Sequence, residues 1–168
     1  MNSIVLCGFM GCGKSAVGHE LSEQLGCPFI DMDTYIEQQD GRTISEIFAQ
    51  SGEAYFRALE REACKQLSLR ANSVIATGGG ALISPENTAI FRNAHCPIVL
   101  IDTTLPVILQ RLTGDTSRPL LQGENPEEKA RALYDQRLPL YREAATYIVC
   151  GDDSPFMVAR RIIKALSH

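Results

Sequence analysis

Apolar residues in this 168-residue chain gather in five short runs: SIVLC at 3–7, PFID at 28–31, SVIAT at 73–77, PIVLI at 97–101 and TYIVC at 146–150. The runs are largely continuous rather than alternating, the pattern of strands buried on both faces of a parallel sheet. Between them the apolar positions switch to helical spacing. Val17, Leu21 and Leu25 share one face, with Gly26 as a stop, and in GEAYFRALEREACKQL (52–67) the predicted core face is Phe56, Leu59, Ala63 and Leu67. Start signals support these helices. Thr34 with Glu37 and Thr43 with Glu46 form candidate capping boxes, while Ser84-Pro85, Asn125-Pro126 and Ser154-Pro155 each read as an N-cap followed by proline at the first helical position. Strands alternating with helices predict an α/β fold in three layers, a five-stranded parallel sheet with helices on both faces.

One stretch breaks the alternation. TGDTSRPLLQGE at 113–124 has neither period, and structureless loops of this length inside compact domains are often active-site lids. A mobile lid over about 113–124 is the expectation, with an ordinary surface loop as the alternative.

The first apolar run leads directly into GFMGCGKSA (8–16), which fits the P-loop pattern G-x-x-x-x-G-K-[ST] with Gly8, Gly13, Lys14 and Ser15. Glycines are needed there because several backbone N–H groups must converge on a phosphate without Cβ atoms in the way. In an open parallel sheet ligands bind beyond the carboxyl ends of the strands. That rule selects the residues at the carboxyl end of each run: the P-loop, Asp31 and Asp33, the triplet Gly78, Gly79 and Gly80, and Asp102. Two carboxylates one residue apart can divide their labour, one toward metal and one toward substrate. Alternatively, Asp33 merely favours a helix that Thr34 begins. Asp102-Thr103-Thr104 reads equally well as a capping sequence. The glycine triplet either strips one wall of the crevice of side chains and lets a ligand reach the backbone, or is simply a mobile turn. Arg57, Arg111, Arg118 and Arg137 are candidates to hold anions, although each taken alone reads equally as a solvated surface charge, with Glu53 the expected helical partner of Arg57 at i−4.

Composition narrows the class. A length of 168 residues suits a single domain, 1–168, and 45% hydrophobic with 21% charged residues is ordinary for a globular protein. The net charge of −4 argues against a nucleic-acid partner. No apolar run is long enough to span a bilayer. The six cysteines include no C-x-x-C pair and there are only three histidines, so nothing suggests a structural metal. Isolated cysteines in apolar runs, with no signal peptide before the first run, suggest a cytoplasmic protein with reduced thiols. Cys12, beside Lys14 near a helix N-terminus, is in surroundings that favour a thiolate.

The P-loop, DMD at 31–33, GE-x-x-F-R at 52–57, the triple glycine and RPLL at 118–121 occur in order, and with them the chain resembles the shikimate kinases from about residue 4 to about residue 160. The resemblance implies a P-loop kinase fold like that of nucleoside-monophosphate kinases. It also implies Mg²⁺-dependent transfer of the ATP γ-phosphate to the 3-hydroxyl of shikimate, in aromatic amino-acid biosynthesis, by a monomer. Residue by residue, Gly11, Cys12, Gly13, Lys14, Ser15 and Ala16 would hold ATP phosphates, Ser15 and Asp31 the metal, and Asp33 the substrate hydroxyls. Arg57 and Arg137 would bind the substrate carboxylate, with Gly78, Gly79 and Gly80 along the same wall. Asp33, Lys14 and Arg118 would be catalytic, and Arg111 would stack on adenine near Pro155. The substrate-binding helical region would cover about 33–61, and Asp102 would be structural. Two departures are visible: Cys12 stands where many relatives have alanine, and Ala16 where a second hydroxyl is frequent. The rival readings are another small-molecule kinase of this fold, such as a gluconate kinase, and a non-catalytic nucleotide switch.

Overall fold

The computed structural model describes residues 1–113 and 123–168. All five apolar runs are strands: β1 (Ile4–Cys7), β2 (Phe29–Asp31), β3 (Val74–Ala76), β4 (Ile98–Asp102) and β5 (Tyr147–Cys150). They form one sheet in the order β2-β3-β1-β4-β5, every pairing parallel. β1 therefore lies between β3 and β4, with Leu6 in register with Ala76 on one side and Val99 on the other. The turns after these three strands converge, which is where such sheets bind ligands.

Alternation along the strands divides the core in two. Val5, Cys7, Ile75, Ile98 and Leu100 point to one face, and Ile4, Leu6, Val74, Val99 and Ile101 to the other. The second face is covered by α1 (Lys14–Leu25) and α7 (Pro155–Leu166) through Val17, Leu21, Val158 and Ile162. Gly18 permits this closeness, since a Cβ there would collide with the Phe29 ring. The first face is covered by α2 (Met32–Asp40), α3 (Ile44–Ser68), α4 (Pro85–Asn93), α5 (Leu105–Leu112) and α6 (Pro126–Ala144). No described helix is long and apolar enough to cross a membrane.

Most boundary signals hold. Gly26 ends α1 in the left-handed conformation, Thr43 Oγ1 accepts from Glu46 N at 3.2 Å, and Ser154 caps α7 by accepting from Met157 N. Thr34 is a correction: α2 begins two residues earlier, and the Asp31 carboxylate caps it by accepting from Thr34 N at 3.1 Å. Glu37 is drawn away to accept from Ile44 N at 2.9 Å. In α3 the helix breaks at Gly52 (φ 83°, ψ 173°), so GEAYFRALEREACKQL starts a new segment at the kink. In Asp102-Thr103-Thr104 it is Thr104 that stands at the N-cap of α5, while Asp102 accepts from Arg142 Nη2 at 3.3 Å.

Candidate active site

The P-loop follows β1, and its backbone needs glycine where φ is positive: 78° at Gly11 and 97° at Gly13, the latter the N-cap of α1. No side chain caps α1, so its first N–H groups remain directed into a cleft of about 470 Å³, an anion site by geometry. Lys14, Ser15, Asp31, Asp33 and Arg111 line this cleft. Lys14 Nζ donates to Gly8 O at 2.6 Å, which holds the ammonium over the loop. Ser15 Oγ donates to Asp31 Oδ2 at 3.3 Å, while the other Asp31 oxygen caps α2. One carboxylate thus ties the P-loop helix to the end of β2. The Ser15 hydroxyl and the Asp31 carboxylate are hard oxygen donors of the kind Mg²⁺ takes while keeping several waters. Among the described residues no group of three or more His, Cys, Asp or Glu could hold a metal.

A second cleft, of about 440 Å³, adjoins the first across the triple glycine: Gly79 lines the phosphate cleft and Gly80 the second one. None of the three glycines has positive φ, so their conformation does not explain them. Their neighbours do. A Cβ on Gly78 would lie 2.7 Å from Asp33 Oδ1, one on Gly80 would lie 2.6 Å from Arg57 Nη1, and the nearest side-chain atom to one on Gly79 would be Arg137 Nη1 at 3.6 Å. The glycines face the three side chains for which the family resemblance implies substrate contacts. Tyr141, buried in α6, fixes this turn by donating to Gly79 O, and burial pushes its phenol pKa up to about 12, so it stays a donor.

Sequence reasoning missed Glu60. It is 1% exposed, and its carboxylate accepts from Arg57 Nη1 at 2.9 Å. The expected partner, Glu53, is more distant at 3.6 Å and exposed. Burial raises the Glu60 pKa, and the Arg57 guanidinium pulls it back. The signal was present: Phe56, Glu60, Ala63 and Leu67 fall at spacings of four, three and four, so Glu60 occupies the buried stripe assigned to Leu59. A buried carboxylate fixes the Arg57 fork while Arg137 lines the same cleft. Two guanidinium groups in one small cleft suit a small carboxylate.

One expectation changes. Cys12, which the sequence placed in thiolate-favouring surroundings, is buried in the core cluster that includes Ile4, Leu6 and Val17, so its thiol is not open to solvent and any contact it makes with phosphate is through backbone. Arg111 is engaged with the backbone as well, its Nη1 donating to Gly11 O at 3.3 Å and Cys12 O at 3.1 Å, and its Nη2 to Gly151 O at 3.3 Å. Arg118 and most of the 113–124 stretch lie outside the described residues. Pro155 sits at the first position of α7, after its Ser154 cap.

Residues 10–167 match the family model for shikimate kinase. A shikimate kinase from Synechococcus sp. (strain CC9605) is 43% identical over 166 residues, covering 98% of this chain and 82% of that protein. One from Thermodesulfovibrio yellowstonii is 43% identical, covering 98% and 94%. The solved structure of shikimate kinase from Acinetobacter baumannii in complex with shikimate superposes with a TM-score of 0.92 at 39% identity, over 99% of this chain and 93% of that one. A gluconokinase from Sinorhizobium meliloti reaches a TM-score of 0.59 at 17% identity, a likeness of fold alone.

Proposed function

The chain belongs to the shikimate kinase family and is an ATP-dependent kinase, and we propose that it passes the γ-phosphate to the 3-hydroxyl of shikimate across the turn at residues 78–80. ATP phosphates lie on the backbone of Gly11, Cys12, Gly13, Lys14, Ser15 and Ala16, with the Lys14 ammonium moving from Gly8 O to the β- and γ-oxygens. Shikimate occupies the neighbouring cleft, its carboxylate between Arg57 and Arg137 and its hydroxyls toward Asp33 and the glycine backbone.

Asp33 accepts a hydrogen bond from the attacking hydroxyl and takes its proton as the new P–O bond forms and ADP departs. Asp33 stands in the first turn of α2, held against Gly78. Ser15 and Asp31 would hold Mg²⁺, which would supply charge neutralisation at the phosphates. Arg111 contacts adenine near Pro155. The protein acts as a single-domain, cytoplasmic monomer.

The observation that carries this reading is the three-way match of Gly78, Gly79 and Gly80 to Asp33, Arg137 and Arg57, at the junction of the two clefts. The test is a coupled ADP-release assay with shikimate, gluconate and nucleoside monophosphates offered in parallel. Turnover should be confined to shikimate. Comparable turnover with gluconate would place the acceptor elsewhere.

A further inference from the structure

The P-loop is braced from behind by side chains that the phosphate reading does not use. Cys12 O accepts from Thr103 Oγ1 and from Arg111 Nη1, both at 3.1 Å. Thr103 lies between β4 and α5 and is buried. It is itself held on two sides: Tyr134 OH, from α6, donates to Thr103 O at 3.2 Å, and a Cβ on Gly151 would collide with the Thr103 hydroxyl. The Tyr134 ring also meets Phe9 of the loop edge to face, with centroids 5.5 Å apart.

A trans peptide directs its C=O and the following N–H to opposite sides. Two donors on Cys12 O therefore turn the Gly13 N–H away from β4, toward the cleft that Gly13 shares with Lys14 and Ser15. The preceding amide is committed elsewhere, since Cys12 N donates to Phe9 O at 3.0 Å.

We propose that Thr103 is a positioning residue for nucleotide binding: its hydroxyl holds the Cys12–Gly13 peptide so that the Gly13 N–H faces the ATP phosphates. Arg111 donates to the same carbonyl and also to Gly151 O, and Gly151 keeps open the space the hydroxyl needs. The proposal rests on the reading of residues 11–16 as the phosphate cradle.

The experiment compares Thr103→Val, which keeps the branched shape, with Thr103→Ser, which keeps the hydroxyl. ADP affinity is measured by calorimetry, with steady-state constants for both substrates. Loss of one hydrogen bond that orients a binding group should weaken ADP and raise the ATP KM by about three- to tenfold in Thr103→Val. The shikimate KM should stay at the wild-type value, and Thr103→Ser should restore ATP binding. Gly151→Ala, which presses on the hydroxyl from outside the loop, should reproduce the Thr103→Val pattern and add little to it in the double variant. It decides the matter should Thr103→Val not fold. Wild-type nucleotide affinity in Thr103→Val or in Gly151→Ala would overturn the proposal, as would a Thr103→Ser variant as impaired as Thr103→Val. The underlying cradle fails separately, if Lys14→Met binds ADP and turns over like the wild type.

Discussion

Two glycine-rich turns meet at the centre of this molecule, and they use glycine for different reasons. In the P-loop, Gly11 and Gly13 have φ of 78° and 97°, values that a Cβ penalises whatever surrounds it. At Gly78 and Gly80 the backbone is ordinary, and the space is filled by Asp33 and Arg57. The first turn is specified within nine consecutive residues. The second becomes intelligible only when residues 33, 57 and 137 arrive from three different helices. A contiguous motif can be read locally, whereas a wall shaped by its neighbours is empty of meaning until they are placed.

The largest effect should come from Asp33, where the two regions meet. Asp33→Asn preserves shape and removes the proposed base, which should cost about 10²–10⁴-fold in kcat/KM for shikimate. Nucleotide binding, measured separately, should stay near wild type. Near-normal turnover would remove the acceptor site from this junction.

The glycine comparison itself is broken or sharpened by an alanine series. Gly80→Ala displaces the Arg57 fork and should raise the shikimate KM roughly ten- to hundred-fold, the loss of a charge-assisted hydrogen bond. Gly78→Ala, pressing on Asp33, should lower turnover, whereas Gly79→Ala, whose nearest side-chain neighbour is 3.6 Å away, should be mildest. ATP affinity should hold in all three and fall in Gly13→Ala. Equal damage at 78, 79 and 80 would mean that conformation, not space, selects these glycines.

Glu60 gives a smaller, pH-dependent effect. Its folded pKa is raised from an ordinary value of 4.5, chiefly by burial. The native state therefore binds this proton more tightly than the unfolded chain does. The associated stability is fully present below about pH 4.5 and is lost as pH rises through the raised folded value. Glu60→Gln lacks this titration, so the melting temperature of wild type minus variant should grow more positive as pH falls from 7 toward 4. A pH-independent difference would show that Arg57 keeps the group at its ordinary value. The smallest effect belongs to Cys12: Cys12→Ala should leave the ATP KM unchanged, and thiol labelling at this residue should be slow with or without ATP. Rapid, ATP-protected labelling would bring the thiol out of the core.

All five strands were legible, to within a residue at each end, because strands buried on both faces must be apolar at nearly every position. The P-loop was legible because its chemistry is contiguous. Asp31 was legible as an acid at a strand end but not as the cap of α2, since Asp31 and Thr34 both carry side chains that cap helices and only the backbone decides between them. Glu60 was hidden for a different reason. A charge in an apolar stripe reads as an outlier until its partner is placed beside it, and that partner, Arg57, was itself assigned to Glu53.

By itself, then, the sequence determined the α/β class, the P-loop motif and a set of arginines with the chemistry to hold anions. Hydrophobic period, turn chemistry and motif spacing are local properties, and local rules suffice to read them. Only the tertiary structure decided that β1 sits between β3 and β4, because strand order depends on which helix faces find cover. That order brings residues 11–16, 33, 57, 78–80 and 137 to one edge of the sheet. It also turned three glycines into the seats of three side chains, since a contact between distant segments exists only once the chain has closed on itself.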